Sequence, residues 1–345
     1  MFILGLKSYI DIIMSKTIPD ISEQIYKEDM LTVIENRYST LGPMWVTHQL
    51  EWNNGVYASF KDHDKFLIVI FLINKTLNFY STNFIKLSYF EFYSKDTVEI
   101  EKFSISEISQ VLNIPKESAR RKVLELEKEG IIKNIKKKFL IDRSKYYYTK
   151  PIDSIKRVSR FLSTLASMSV NEKILTKKIT TEELELTIKK NFSYIWKIYY
   201  ELQIPMMIGY KKIFKDLETF HIFCTCIVNQ HLYVRKYSEN NLIRERFIDT
   251  MIGASEMEGI NAMSISDITG IPRATVIRKL QKMLREKVLK IDLKKHYRLT
   301  GNFSKKLMPI QKDILLKLAN FSSLIFNLVK TEKNTPEEKK TNDFI

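Results

Sequence analysis

Cysteine is almost absent from this chain of 345 residues, with Cys224 and Cys226 the only two. A disulfide framework needs more of them, so the chain reads as intracellular and cytoplasmic. The pair lies in the apolar run HIFCTCIVN and reads as buried, inert thiols rather than an oxidant sensor. Glycine (9 residues) and proline (8) are scarce, and no Gly-rich phosphate loop occurs. The five histidines stand singly, without the spacing of a metal site. No nucleophile has a base at recognisable spacing, so neither an enzyme nor a cofactor is expected. The run Phe66 to Ile73 spans only eight residues before Asn74 and Lys75, too few to cross a bilayer, and no membrane partner is expected. The apolar start MFILGLKSYIDIIMSK carries Lys7 and Asp11 and lacks a basic leader. It reads as a frayed helix, or as residues ahead of a true start at Met14, rather than a signal peptide.

Acidic residues are also in deficit, 40 Asp+Glu against 56 Lys+Arg, for a net charge of +16. The richness in Lys, Ile, Asn, Phe and Tyr could reflect an AT-rich coding sequence, which would spread its lysines. They are not spread. Lys116 to Lys150 holds 12 Lys/Arg against 5 Asp/Glu, and Arg273 to Arg298 holds 10 against 2. These two windows supply +15 of the net charge. Clustered positive charge of this kind is the footprint of phosphate binding, which makes double-stranded DNA the expected partner.

The two basic windows belong to a repeat. SISEISQVLNIPKESARRKVLELEKEGIIK, from Ser104, returns as SISDITGIPRATVIRKLQKMLREKVLK, from Ser264. A shift of 157 residues places Ile114 on Ile271, Pro115 on Pro272, Ser118 on Thr275, Arg121 on Arg278, Lys122 on Lys279 and Lys133 on Lys290. Upstream, a shift of 154 superimposes Tyr38 on Phe192, Ser39 on Ser193, Gly55 on Gly209, Phe60 on Phe214, Asp62 on Asp216 and Phe66 on Phe220. The chain thus reads as a duplicated unit of about 150 residues. Each unit has an aromatic-rich helical region (Ile21 to Asp96, Thr181 to Glu256), the basic module, and a closing amphipathic helix (Ile152 to Ser169, Leu307 to Val329). Asn171 to Thr181 connects the two units. The expected division is residues 1–170, 171–330 and a disordered tail 331–345, with the modules at about 104–143 and 260–300.

Within each module the residue types suit DNA. Ser104 and Glu107 form an S-x-x-E capping box opening a helix whose buried face is Ile108, Val111 and Leu112. Pro115 opens a second helix in which Ala119, Val123 and Leu126 pack inward. Lys116, Glu117, Ser118, Arg120 and Arg121 face out, where small hydroxyls suit phosphates and arginine reaches guanine edges. Gly130 stops this helix, Ile131 to Ile135 reads as a strand, and Lys136, Lys137 and Lys138 form a basic hairpin tip. In the second module Val276, Leu280, Met283 and Leu284 face inward. Arg273, Thr275 and Arg278 face out, and Lys294 and Lys295 tip the hairpin. Its first helix either loses a turn or begins at Asn261, and Lys287 stands in place of Gly130. The first copy has Lys-Glu-Ser-Ala where the second has Arg-Ala-Thr-Val, so the two second helices should not read identical bases; Glu117 either accepts a hydrogen bond from cytosine or repels phosphates. Trp45, Trp52, Tyr57, Trp196 and Tyr199 read as core and interface, or as the lining of an effector pocket.

The string GIPRATVIRKL resembles the turn and recognition helix of bacterial winged helix-turn-helix regulators of the multiple-antibiotic-resistance and isocitrate-lyase-regulator types. The likeness covers about 40 residues per copy, and the flanking helices are most similar to the former type, where they form the dimer interface. It implies a mainly α fold with small β wings, in which tandem winged helix-turn-helix domains make an intramolecular pseudo-dimer. The implied function is a sequence-specific transcription regulator with two recognition helices in successive major grooves, cytoplasmic and nucleoid-associated. A plasmid- or phage-type replication initiator with tandem winged helices is the alternative. A small-molecule effector and further self-association stay open.

Overall fold

The computed structural model describes residues 24–146, 150–237, 242–253 and 259–334. The apolar start with its Met14, and the tail beyond Asn334, lie outside the described residues. Among the described residues the protein is mainly helical, with 14 helices and a small antiparallel β component.

Helices α1 (Lys27–Asn36), α2 (Tyr38–Phe60), α3 (His63–Thr82) and the single turn α4 (Tyr89–Phe92) come first. Strand β1 (Thr97–Ile100), α5 (Ile105–Leu112), α6 (Lys116–Lys128), β2 (Ile132–Ile135), β3 (Lys138–Asp142) and α7 (Ile152–Asn171) follow. The second half runs α8 (Thr181–Lys190), α9 (Phe192–Phe214), α10 (Leu217–Tyr237) and α11 (Arg244–Gly253), then α12 (Ala262–Thr269) and α13 (Arg273–Arg285). It ends with β4 (Leu289–Ile291), β5 (Tyr297–Leu299) and α14 (Asn302–Asn334). Helix lengths of 10, 23, 8 and 13 residues in α1, α2, α5 and α6 recur in α8, α9, α12 and α13.

Local signals explain the starts and stops. Asp62 caps α3, its side chain accepting from the Asp64 amide at 2.8 Å, and Asp216 accepts from the Thr219 amide at 2.8 Å ahead of α10. Helix α12 begins at Asn261, whose side chain accepts from Ser264 N at 2.9 Å, so no turn is lost relative to α5. The capping box at α5 is only half made. Ser104 accepts from the Glu107 amide at 3.0 Å, but the Glu107 carboxylate goes to Lys75 at 2.7 Å instead of returning to the cap. Val111, expected on the buried face, is 45% exposed; Ile108 and Leu112 are buried and Ile105 packs partly against the core instead. The expected tail from 331 is helical as far as Asn334, where α14 ends.

Packing crosses between the halves in matched pairs. Helix α1 lies on α14 and α8 on α7, while α2 lies on α10 and α9 on α3. The hydrogen bonds are equally reciprocal. Ser39 N donates to Leu242 O (3.2 Å) and Leu242 N to Ser39 Oγ (3.0 Å); Ser193 N donates to Leu87 O (2.9 Å) and Leu87 N to Ser193 Oγ (2.9 Å). Ser39 and Ser193 are the residues the 154-residue shift superimposes. One continuous hydrophobic core joins both halves, with Leu41, Phe161, Tyr199, Phe223 and Phe326 among its buried members. Helix α14 is long and apolar enough over Asn302–Glu332 to cross a membrane by length and composition (mean hydropathy 1.2), but it packs on α1 and α9.

The first hairpin is joined by a third strand, in the order β1-β3-β2. The second has only a bridge from Ile260 to Tyr297 beside β4-β5. Gly259 permits that bridge, since a Cβ there would lie 2.6 Å from the Tyr297 carbonyl oxygen. Lys287 adopts the left-handed conformation (φ 55) that Gly130 (φ 72) adopts in the first half. A side chain in that region is strained. Lys287→Gly is therefore expected to stabilise the fold by about 0.5–1 kcal/mol, read as a higher urea midpoint with an unchanged slope.

Candidate nucleic-acid interface

Helices α5 and α6 are joined through Asn113 (φ 50), and α12 and α13 through Gly270 (φ 68), each a left-handed C-cap. The turn is fixed the same way twice: Ser109 Oγ donates to Ile114 O at 2.7 Å and Ser266 Oγ to Ile271 O at 2.7 Å. Pro115 and Pro272 then cap the second helices with matching backbone angles (φ −52 and −54).

On α6, Ala119, Val123 and Leu126 are buried; on α13, Val276, Leu280 and Met283 are. Lys116, Glu117, Arg120 and Arg121 are exposed and Ser118 half-buried, while Arg273 and Arg278 are exposed and Thr275 half-buried. Lys136, Lys137, Lys138, Lys294 and Lys295 are all exposed at the hairpin tips. Every charged candidate residue therefore reaches solvent.

Their electrostatic states differ between halves. Arg120 donates to Glu117 at 3.1 Å, and Arg121 lies 3.8 Å from Glu125. Arg273 and Arg278 form no ion pair among the described residues. Lys138 pairs with Glu99 of β1 at 3.0 Å, so among the described residues the first tip has two cations without an ion pair, Lys136 and Lys137. Both sit at positive φ (52 and 68) in the two-residue turn joining β2 to β3. Glycine and asparagine are the usual residues there.

Part of the basic surplus is structural rather than outward-facing. Lys122 pairs with Asp62, and Lys279 with Asp216 at 2.8 Å, tying α6 to the cap of α3 and α13 to that of α10. Burial works against ionisation of Asp62 and Asp216, but the lysine hydrogen bonds and backbone N–H groups outweigh it and hold both below the usual carboxylate range. Lys65 adds bonds to Glu125 (2.8 Å) and Glu129 (2.7 Å). Lys133 pairs with Asp142 at 2.6 Å, and Arg143 is buried. Counting charge along the chain missed these, because window sums carry no direction.

The aromatic positions Trp45, Trp52, Tyr57, Trp196 and Tyr199 are all buried. Trp52 and Trp196 also line a cavity of ≈ 70 Å³ with Tyr93, Tyr146, Tyr200 and Arg143. The Arg143 guanidinium stacks on Phe92 and Tyr93 (4.7 and 4.4 Å) and donates to Phe92 O at 2.8 Å, Lys95 O at 2.5 Å and Asp96 O at 3.4 Å, leaving Nη1 without a hydrogen-bond partner among the described residues. Arg143 had no periodicity or motif to mark it in the sequence. Cys224 and Cys226 are buried, and burial pushes both thiols up, Cys226 to about 12. No protein-family model, curated protein or solved structure matches the chain.

Proposed function

We propose that the chain is a sequence-specific double-stranded DNA-binding transcription regulator, built as a tandem winged helix-turn-helix duplication that folds into an intramolecular pseudo-dimer. The observation that carries this reading is the pair of 13-residue helices with exposed arginines, each followed by a lysine-tipped hairpin, in halves joined by reciprocal contacts. α6 and α13 act as recognition helices and the two hairpins as wings. A dimer with this arrangement places its recognition helices about one helical turn apart, roughly 10 base pairs. Lys116 to Arg121 and Arg273 to Arg278 read the major grooves, and the wings follow the flanking backbone.

The reading extends to an effector. Arg143 has one buried N–H group, at Nη1, that is unpartnered among the described residues beside a cavity, which favours a small anion as its acceptor. Arg143 supplies the charge there, since Arg157 is offset by Glu51 of the same cavity at 3.5 Å, and Trp52 and Trp196 supply the apolar walls.

The test is selection of duplexes from a random pool by the full chain, followed by footprinting and binding across salt concentrations. Two protected major-groove segments and an affinity falling steeply with salt are expected, with a log–log slope of about −5 or steeper for six or more neutralised phosphates. Direct repeats in the selected sites would favour the replication-initiator reading. Failure to retain any duplex overturns both.

A further inference from the structure

The second wing differs from the first in one respect that its charges do not explain. Its loop is one residue longer, running Leu293-Lys294-Lys295 between Asp292 and His296, where the Asp292 amide donates to His296 O at 3.1 Å. Leu293 is wholly exposed, at 104% of its reference area, the highest value among the exposed large apolar side chains. In the first wing, residues 136 and 137 at the tip are both lysine.

The loop presenting Leu293 is held firmly. Asp292 Oδ1 accepts from the amides of Lys294 and His296, both at 2.9 Å, and Lys295 N donates to Asp292 O at 3.0 Å. Lys295 takes the left-handed conformation (φ 62), so the tip is a three-residue loop ending on an αL residue. The one carboxylate at the tip is thereby turned into the loop, with Arg298 4.0 Å away. What projects is an apolar side chain beside two exposed lysines, on a strand pair whose β4 packs against α13.

We infer that Leu293 is a wedge that enters the minor groove beside the second half-site and partly unstacks a base step while Lys294 and Lys295 grip the flanking phosphates. This rests on the DNA-binding reading above. Leucine is among the side chains that pry base steps apart from the minor groove, kinking the duplex towards the major groove. The adjacent cations favour DNA over a protein partner, because they supply the phosphate contacts that hold a groove open. A wedge in one wing only makes the bend one-sided and places it at a flexible pyrimidine–purine step.

The experiment uses the full chain and a duplex selected by it, with 2-aminopurine placed at successive positions flanking the α13 half-site. Wild-type protein should raise 2-aminopurine fluorescence at one step. Leu293→Ala should abolish the rise and weaken binding about tenfold, the worth of one buried leucine side chain, with an unchanged salt slope. Leu293→Lys should restore affinity but not fluorescence. Because the side chain is fully exposed, neither substitution disturbs folding. A normal fluorescence rise and unchanged affinity for Leu293→Ala overturn the wedge while leaving the DNA-binding reading intact. Loss of affinity without any fluorescence rise in the wild type also overturns it. Absence of duplex binding by the wild type defeats the underlying reading instead. If Leu293→Ala changes only self-association, the tip is a protein contact and the inference falls.

Discussion

Replacing Arg273 and Arg278 together by alanine is expected to weaken binding to a selected duplex by about 10²–10³-fold, at 1–3 kcal/mol for each base-reading arginine. The matching double change, Arg120→Ala with Arg121→Ala, is expected to cost only about tenfold. Both pairs stand exposed on 13-residue helices that begin at equivalent prolines. The difference lies in what each arginine gives up. Arg120 and Arg121 must leave Glu117 and Glu125 to meet DNA, and those carboxylates stay behind to repel phosphates. Arg273 and Arg278 form no ion pair among the described residues, the Glu218 carboxylate acting on Arg278 only at longer range. Fluorescence anisotropy at one fixed salt concentration measures all three proteins. Equal losses from the two double changes would show that the acids of α6 do not matter. No loss from either would show that these helices do not read DNA.

Glu117 supplies an internal control. If it repels phosphates, Glu117→Gln should tighten binding to every sequence and leave the preferred site unchanged. If it accepts from cytosine, the same change should relax the preference at one base pair of the first half-site. The two open meanings of Glu117 thus separate in one selection experiment.

Much of this arrangement was legible in the sequence for a definite reason. Equivalent residues at shifts of 154 and 157 turn out to make equivalent contacts, as Asp62–Lys122 and Asp216–Lys279 do. Helical spacing correctly sorted Ala119, Val123 and Leu126 inward and Arg120 and Arg121 outward. Asn261 could be read as a cap because its side chain can take a backbone N–H wherever the helix starts. What escaped was set by neighbours distant along the chain. Glu107 was drawn from its cap by Lys75, 32 residues earlier. Lys122, Lys279 and Arg143 counted as surface charge until the fold turned them inward. Leu293 has no periodicity at all, since a single apolar residue in a polar loop belongs to no face.

Severing the chain between α7 and α8 is expected to leave neither half able to fold alone, and co-expression should restore a one-to-one complex. The crossed packing is the reason: separation strips α14 from α1, α7 from α8, α10 from α2 and α3 from α9. The apolar faces exposed would include Leu41, Ile68, Ile195 and Phe223, each buried in the intact protein. A homodimer of one half is no substitute, because the centre is not symmetric. His48 Nε2 meets the Tyr199 hydroxyl at 2.9 Å, and Gln203 Nε2 donates to the same oxygen at 2.7 Å. The 154-residue shift puts Trp45 in the place of Tyr199 and Leu202 in the place of His48. His221, bonded to Asn54 at 2.7 Å, likewise has Leu67 as its counterpart. A paired first half would bury His48 without its hydroxyl, and a paired second half would set Tyr199 against Leu202. In the second case Tyr199 keeps its bond from Gln203, but the orphaned His48 of the first costs about 1–3 kcal/mol, a large part of a typical margin of stability. Circular dichroism and size-exclusion chromatography of the halves, apart and together, decide the matter. A cooperative thermal transition in either half alone would mean that the two units are independent domains rather than one crossed core.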